Sequence, residues 1–354
     1  MNFHELEISK VESNTQNAVL VEFSIPPALT QKFQFNPGQH IVFDFKLERN
    51  NYRRTYSICT APHENKLCIS VKRQHKGIIS NYINDAFFKG LTVRASEPMG
   101  NFYNDEQITN TPNIILWAGG SGITAMLSLA KHILKVFSHK KILLVYANND
   151  QRSIMFEDEI EELKMQYHEK FSITQILSNN TVKEGIFTKL FSLNPPKKPW
   201  TGLTGYITKA FVEKISMQFP NAVHYLCGPE KMMEICQTTL LSKGTAKVYL
   251  ERFVGSSARI NNSNKAAVLK VNLSKKDYEI NLEGNSLLEG MLAAKLNPPH
   301  ACKMGTCGSC KAILVSGEVI VARDFALNEA DRKAGKILCC QSWAKSSEIE
   351  IAYS

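Results

Sequence analysis

The segment ACKMGTCGSCKA, residues 301–312, constrains this chain more than any other. Cys302, Cys307 and Cys310 are spaced C-x4-C-x2-C, and Cys340 follows after a further 29 residues, directly behind Cys339. Gly305, Thr306, Gly308 and Ser309 lie between the thiols. Such small residues make a poor hydrophobic core, but they let backbone wrap tightly with its N–H groups turned inward. A compact triplet with a distant fourth cysteine is the plant-type pattern of a two-iron, two-sulfur centre. Four soft thiolates there hold two tetrahedral irons. Zinc also takes four thiolates, commonly as close C-x2–4-C pairs. Only Cys307 and Cys310 form a close x2 pair here, and the x4 spacing with Gly305 inside it fits iron–sulfur better. Adjacent side chains in extended backbone point to opposite faces. One of Cys339 and Cys340 is therefore expected to face the metal, and position alone does not choose between them.

The rest of the chain is that of an ordinary globular protein. It has 354 residues, 44% hydrophobic and 21% charged, enough for two or three domains with sizeable cores. The net charge of +9 is spread along the chain. It suits phosphorylated cofactors or an acidic protein partner, and nucleic acid is not the expected ligand. No stretch approaches the roughly 18 apolar residues of a membrane span. The N-terminal MNFHELEISKVESN has no basic region followed by an apolar run, so no secretory signal is expected. A reducing, cytoplasmic setting makes disulfides a weak explanation for nine unevenly spaced cysteines.

Three regions differ in rhythm. Residues 1–104 carry short strand signals, such as HIVFDFKLE at 40–48 and LCISVKR at 67–73, with one helix near Ser80–Phe87. This predicts a small antiparallel β-barrel or sandwich. Residues 105–254 alternate apolar strands, such as NIILWAGG at 113–120, with helical periodicity at 122–137, 154–167 and 229–243. That is the pattern of a parallel sheet covered by helices. NPPKKPW at 194–200 is a loop, since proline fits neither element. The polar stretch 255–265 reads as a linker, and 266–354 as a further domain. In that domain a hairpin joins AVLKVNL to YEINLEG, SLLEGMLAAKL is a helix, and a second hairpin is expected around Ser316–Glu318.

Two junctions in the middle region have the chemistry of a nucleotide site. Gly119, Gly120, Ser121, Gly122 and Thr124 follow a strand and open a helix. Glycines there let backbone approach a pyrophosphate, whose charge the helix N-terminus favours. The spacing is not G-x-G-x-x-G, and a tight structural turn is the plain alternative. Cys227, Gly228 and Pro229 form a second strand-to-helix switch. Cys227 alone would be an ordinary core residue, but two such junctions in one α/β domain favour a ligand beyond the strand ends.

In the first region, Arg53-Arg54-Thr55-Tyr56-Ser57 places Arg54 and Tyr56 on one face of a strand. By composition alone this is equally a half-exposed strand. Lys72 and Arg73, followed by Gly77 and Ser80, add a basic strand and a glycine-led helix start where a phosphate could sit.

Taken together, these motifs resemble the ferredoxin–NADP reductase superfamily. Over essentially the whole chain they resemble three-domain oxygenase reductases with a C-terminal plant-type ferredoxin, and among those the reductase subunits of phenylacetyl-CoA epoxidases. The resemblance implies a FAD-binding β-barrel, a nucleotide domain and a β-grasp 2Fe-2S domain. It makes Arg54, Tyr56 and Ser57 the R-x-Y-S flavin motif, with Arg54 on the pyrophosphate, Tyr56 on the isoalloxazine and Ser57 near its reactive nitrogen. It places Gly77 and Ser80, with Lys72 on the strand before them, at further flavin phosphate contacts, and Pro98 to Phe102 at the end of the flavin domain. Gly119 to Thr124 and Cys227-Gly228-Pro229 become the nicotinamide-dinucleotide site, with Cys227 near hydride transfer. Glu251-Arg252-Phe253 matches the stretch closing the nucleotide domain. The last metal ligand of the family precedes Gln, which selects Cys340 before Gln341 and leaves Cys339 a neighbour. The implied electron donor is NADPH or NADH. After the second nucleotide-domain strand, Ala147-Asn148-Asn149 lacks the family's Arg in register, while Arg152 suits NADPH and Asp150 suits NADH. The implied acceptor is an oxygenase or desaturase component, such as a phenylacetyl-CoA epoxidase-like monooxygenase, a ring or steroid hydroxylase, or a carnitine-type monooxygenase. A zinc-stabilised interaction protein is the non-enzymatic alternative.

Overall fold

The structure, a computed structural model, describes residues 2–47, 50–179, 200–244, 247–253, 266–303, 305, 307–324 and 326–353. The expected linker at 255–265 and residues 194–199 of the expected loop lie outside the described residues.

The first layer is a six-stranded antiparallel sheet: β1 (Phe3–Thr15), β2 (Ala18–Ser24), β3 (His40–Leu47), β4 (Asn50–Ser57), β5 (Leu67–Lys72) and β6 (Thr92–Ser96), in the order β4-β3-β6-β1-β2-β5. A bridge between Ile58 and Ile69 draws its two edges together. Alternate residues such as Leu6 and Ile8 point into one core with Val21, Phe43 and Ile69. Helix α1 (Ile78–Ala86) adds Ile79 and Ile83, four residues apart on one face. It begins before the expected Ser80 because the Ser80 hydroxyl accepts the Gln74 N–H at 3.1 Å and closes the preceding turn.

The second sheet is parallel: β7 (Asn113–Gly119), β8 (Lys141–Asn148), β9 (Phe171–Leu177), β10 (Leu203–Thr204), β11 (Val223–Cys227) and β12 (Val248–Glu251), in the order β10-β9-β8-β7-β11-β12. Ile114 to Ala118 of β7 are all fully buried, as a central parallel strand requires. Helices α2 (Ile123–Val136) and α3 (Glu157–Gln166) pack on Ile114 and Leu116, while α4 (Lys209–Gln218) and α5 (Glu230–Ser242) pack on Ile115 and Trp117. Helix α3 starts three residues later than the pattern at 154–167 predicts. Phe156 is left-handed (φ 59°) and donates its N–H to Asn14 of β1, so the helix cannot extend back through it.

The third unit holds β13 (Ala266–Leu273), β14 (Lys276–Glu283), β15 (Lys311–Ser316), β16 (Val319–Val321), β17 (Lys336–Leu338), β18 (Ser342–Ala344) and β19 (Glu348–Ala352). Five strands run β14-β13-β19-β15-β17, and β16 pairs with β18. The β13–β14 hairpin turns through Ser274 and Lys275 at φ 54° and 63°, the primed turn that matches strand twist. Helix α6 (Leu287–Ala293) starts from a capping box between Ser286 and Glu289, and α7 (Glu329–Lys333) from one between Asn328 and Asp331. The hairpin expected around Ser316–Glu318 does not form. β15 pairs with β17 and β19, so the chain leaves one sheet for another at Gly317. Cys339–Gln341 is a 3-10 turn and not the extended backbone assumed for the cysteine pair.

The units are locked to one another. Lys131 of α2 reaches Glu64 of the first layer at 2.8 Å and Glu159 of α3 at 2.9 Å. Burial disfavours its charge, but the two carboxylates outweigh burial and raise its pKa. Ser128 of the same helix donates to the Thr60 carbonyl at 2.7 Å. On another side of the first layer, Val42, Phe3 and Met99 pack on Ala301, Cys302 and Cys307. No helix among the described residues is long and apolar enough to cross a membrane.

Candidate functional site

The strand order of the parallel sheet reverses between β7 and β11, where Ala118 pairs with Cys227. Ligands of α/β sheets bind at such a switch, beyond the strand ends. Both glycine junctions lie there and touch. A Cβ on Gly122 would stand 2.1 Å from the Cys227 carbonyl oxygen, and one on Gly228 would stand 2.9 Å from the Gly119 Cα. Glycine is thus required where backbone meets backbone. Thr124 turns its hydroxyl back to the Ser121 carbonyl at 3.0 Å, and Pro229 caps α5. Lys72, from the end of β5, brings its ammonium 4.0 Å from the place of a Gly120 Cβ. Burial lowers its pKa and Asp150 counteracts that. A cation from the first layer thereby faces the nucleotide junction. Arg73 turns away to Asp85 at 2.6 Å.

The flavin-motif strand β4 meets the end of the parallel sheet. Ser57 is buried and donates its hydroxyl to Glu251 at 3.0 Å. Glu251 ends β12, paired with Cys227 on β11. Its second carboxylate oxygen has no hydrogen-bond partner, and burial pushes its pKa up to about 8 against the Ser57 hydrogen bond. His40, the β-partner of Ser57, approaches Glu251 at 3.9 Å. Burial pulls His40 down to about 4, so this is a contact between two neutral groups at pH 7 and not an ion pair. Cys227 is enclosed, and burial followed by Glu251 raises its thiol well above the ordinary value. Ser57, Cys227, Glu251 and His40 therefore converge from β4, β11, β12 and β3. Sequence reasoning had the first two as site residues. It treated Glu251 only as part of a closing Glu-Arg-Phe motif and passed over His40. Tyr56 is half-buried against Phe43 at 6.1 Å. Arg54 is exposed, lies 5.8 Å over Tyr52 and donates to the Arg53 carbonyl at 2.8 Å. Gly77 and Ser80 meet each other at the start of α1.

The cysteine loop closes this region from the other side. A cavity of about 380 Å³ is walled by Arg54, Thr55, Glu251 and Phe253, and also by Cys302 and Cys307. The Cys307 and Cys302 thiols are hydrogen-bonded to each other, and so are those of Cys310 and Cys340. These thiol contacts, then burial, raise both Cys307 and Cys310. Among the described residues, no three donors gather about a single point. Two thiol pairs suit a two-iron centre, one pair for each iron. The Cys302 N–H points at the Cys307 sulfur at 3.5 Å, the sort of donor that stabilises anionic sulfur. Cys339, also buried, faces Tyr353. Gln341 tethers the Cys340 turn to the loop by donating to the Lys303 carbonyl at 3.1 Å, and its side chain fills the space beside Gly305. Its value as a tether had no sequence signal beyond following the cysteines.

Known families match each unit. Residues 5–103 match the oxidoreductase FAD-binding domain, 116–238 the oxidoreductase NAD-binding domain and 269–345 the 2Fe-2S iron-sulfur cluster binding domain. The fold and its shared cavity thus define an NAD(P)H-dependent oxidoreductase with FAD and a 2Fe-2S cluster. Phthalate dioxygenase reductase of Burkholderia cepacia is 30% identical over 85% of this chain and 84% of its own. The chain belongs to that family of oxygenase reductase components. A component of the 1,2-phenylacetyl-CoA epoxidase of Escherichia coli (strain K12) is 26% identical over 99% of this chain and 98% of its own. A solved phthalate dioxygenase reductase, titled a modular structure for electron transfer from pyridine nucleotides to [2Fe-2S], superposes with a TM-score of 0.59, at 26% identity over 99% of this chain and 98% of that one.

Proposed function

We propose that this chain delivers electrons from NADH or NADPH to a phenylacetyl-CoA epoxidase-like monooxygenase, in phenylacetate degradation in the cytoplasm. The observation that carries the relay is a cavity bounded by Arg54 and Thr55 of the flavin-motif strand on one wall and by Cys302 and Cys307 on the other. The acceptor rests on the near full-length likeness to the 1,2-phenylacetyl-CoA epoxidase component. The working units are residues 1–104, 105–254 and 266–354.

When bound, FAD takes up a hydride and gives up electrons singly, and the cluster carries one at a time. The chain's own residues position and insulate that exchange. Arg54, Gly77 and Ser80 hold flavin phosphates, and Tyr56 packs on the ring. Gly119, Gly120, Ser121, Gly122, Thr124, Gly228 and Pro229 receive the dinucleotide, with Lys72 supplying charge between the two sites. Ser57 and Cys227 flank the place of hydride transfer, and Glu251, protonated at neutral pH, holds the Ser57 hydroxyl in position. Cys302, Cys307, Cys310 and Cys340 ligate the cluster.

The test is turnover of purified candidate oxygenase components, each supplied with this protein and either NADH or NADPH. The expected result is coupled epoxidation of phenylacetyl-CoA. Product formation only with a steroid or ring hydroxylase, or with a desaturase, would overturn the choice of partner while leaving the relay intact.

A further inference from the structure

Arg53 and Arg54 are neighbours on β4, so their side chains leave opposite faces of the strand. Arg54 is exposed, and both arginines line the shared cavity. Arg53 is only 17% exposed and points to the ferredoxin unit. Its Nε donates to Asp44 at 3.2 Å, and its Nη1 donates to the carbonyl of His300 at 3.2 Å. That carbonyl lies two residues before Cys302. The same Nη1 lies 3.4 Å from the His300 Nδ1, which is itself 2.9 Å from the Pro298 carbonyl. The Arg53 guanidinium also lies 5.1 Å over the Phe3 ring, and Phe3 packs in the same interface as Ala301 and Cys302. The other contacts among the described residues there are mainly apolar, besides a hydrogen bond between the His40 side chain and the Cys307 backbone and a Ser309 hydroxyl to Met99 sulfur approach at 3.8 Å. Apolar burial holds surfaces together but does not fix their register. A planar, permanently charged fork held by a carboxylate does.

We propose that Arg53 is a positioning residue for intramolecular electron transfer. Oriented by Asp44, it latches the His300–Cys302 backbone to the first layer and so holds the cluster loop over the flavin wall of the shared cavity. This rests on the relay reading and adds to it a residue with no place in the flavin motif. Arg94 supplies an internal control. It shares Asp44 at 2.8 Å and the Phe3 ring at 5.4 Å, but it is 57% exposed.

The experiment uses the full-length, cofactor-loaded protein with Arg53→Met, Arg53→Lys and Arg94→Met. Anaerobic mixing with NADH or NADPH follows flavin bleaching and cluster bleaching as separate phases. Hydrogen exchange follows amides at 300–303 and 41–43 in the same proteins. Losing one charge-assisted bond should lower the docked population, and with it the cluster rate relative to the flavin rate, about tenfold in Arg53→Met. Arg53→Lys should fall between, since lysine keeps the charge but not the fork. Amides on both sides of the interface should exchange faster in Arg53→Met, and Arg94→Met should match the wild type. The proposal is overturned if Arg53→Met slows both phases equally, if its exchange rises only in β3 and β4, or if Arg94→Met behaves in the same way. Should Arg53→Met not accumulate, Arg53→Lys with the exchange readout decides the same question. A wild-type cluster that never reduces would count against the relay itself, not against the latch.

Discussion

Glu251→Gln should flatten a pH dependence of stability that the wild type carries. The carboxyl is enclosed between Ser57 and Cys227, and burial raises its pKa from 4.5 to about 8. Folding therefore takes up a proton between those values. The stability tied to Glu251 is fully present below pH 4.5 and is lost as pH rises through about 8. At about 1.36 kcal/mol for each tenfold change in proton affinity, the interval amounts to roughly 4–5 kcal/mol. Gln keeps the shape and the oxygen that accepts from Ser57 but cannot ionise. Urea unfolding of both proteins, run in steps from about pH 5 to about pH 8.5, measures the difference between them. The expected result is a wild-type advantage over Glu251→Gln that shrinks by several kcal/mol across the range. A difference that stays within about 1 kcal/mol throughout would refute the argument, because Glu251 would then ionise as easily in the folded chain as in the unfolded one.

Gly122→Ala places a Cβ 2.1 Å from the Cys227 carbonyl oxygen, backbone against backbone. It should cost roughly 2–3 kcal/mol and weaken dinucleotide binding, read by thermal unfolding and NAD(P)H titration. Gly120→Ala meets little besides the Lys72 ammonium at 4.0 Å and pays mainly for its φ of +51°, about 1 kcal/mol. Cys340→Ser should abolish cluster absorption, whereas Cys339→Ser should keep it, since Cys339 faces Tyr353 and Cys340 faces Cys310. The reverse outcome would exchange the two residues' roles.

The four-cysteine spacing pointed by itself to iron–sulfur and the strand and helix rhythm to three units, while the R-x-Y-S strand and the two glycine junctions indicated their cofactors through the family resemblance. Each is a local demand: sulfur ligands within one loop, alternation within one strand, glycine within one turn. Short-range geometry is what a linear pattern records, and so β7 could be read as a buried parallel strand from its apolar run alone. The boundaries of α1 and α3 were less legible, because the Ser80 hydroxyl and the Asn14 contact to Phe156 set them. The hairpin expected at Ser316–Glu318 failed for a related reason: pairing partners of β15 and β16 come from distant segments. Only the tertiary structure brought Glu251 and His40 to Ser57, put Lys72 beside Gly120, sorted the thiols into two pairs and turned Arg53 toward His300. Those contacts join residues far apart in the chain, and their energies depend on burial and close approach, which no spacing along a sequence encodes.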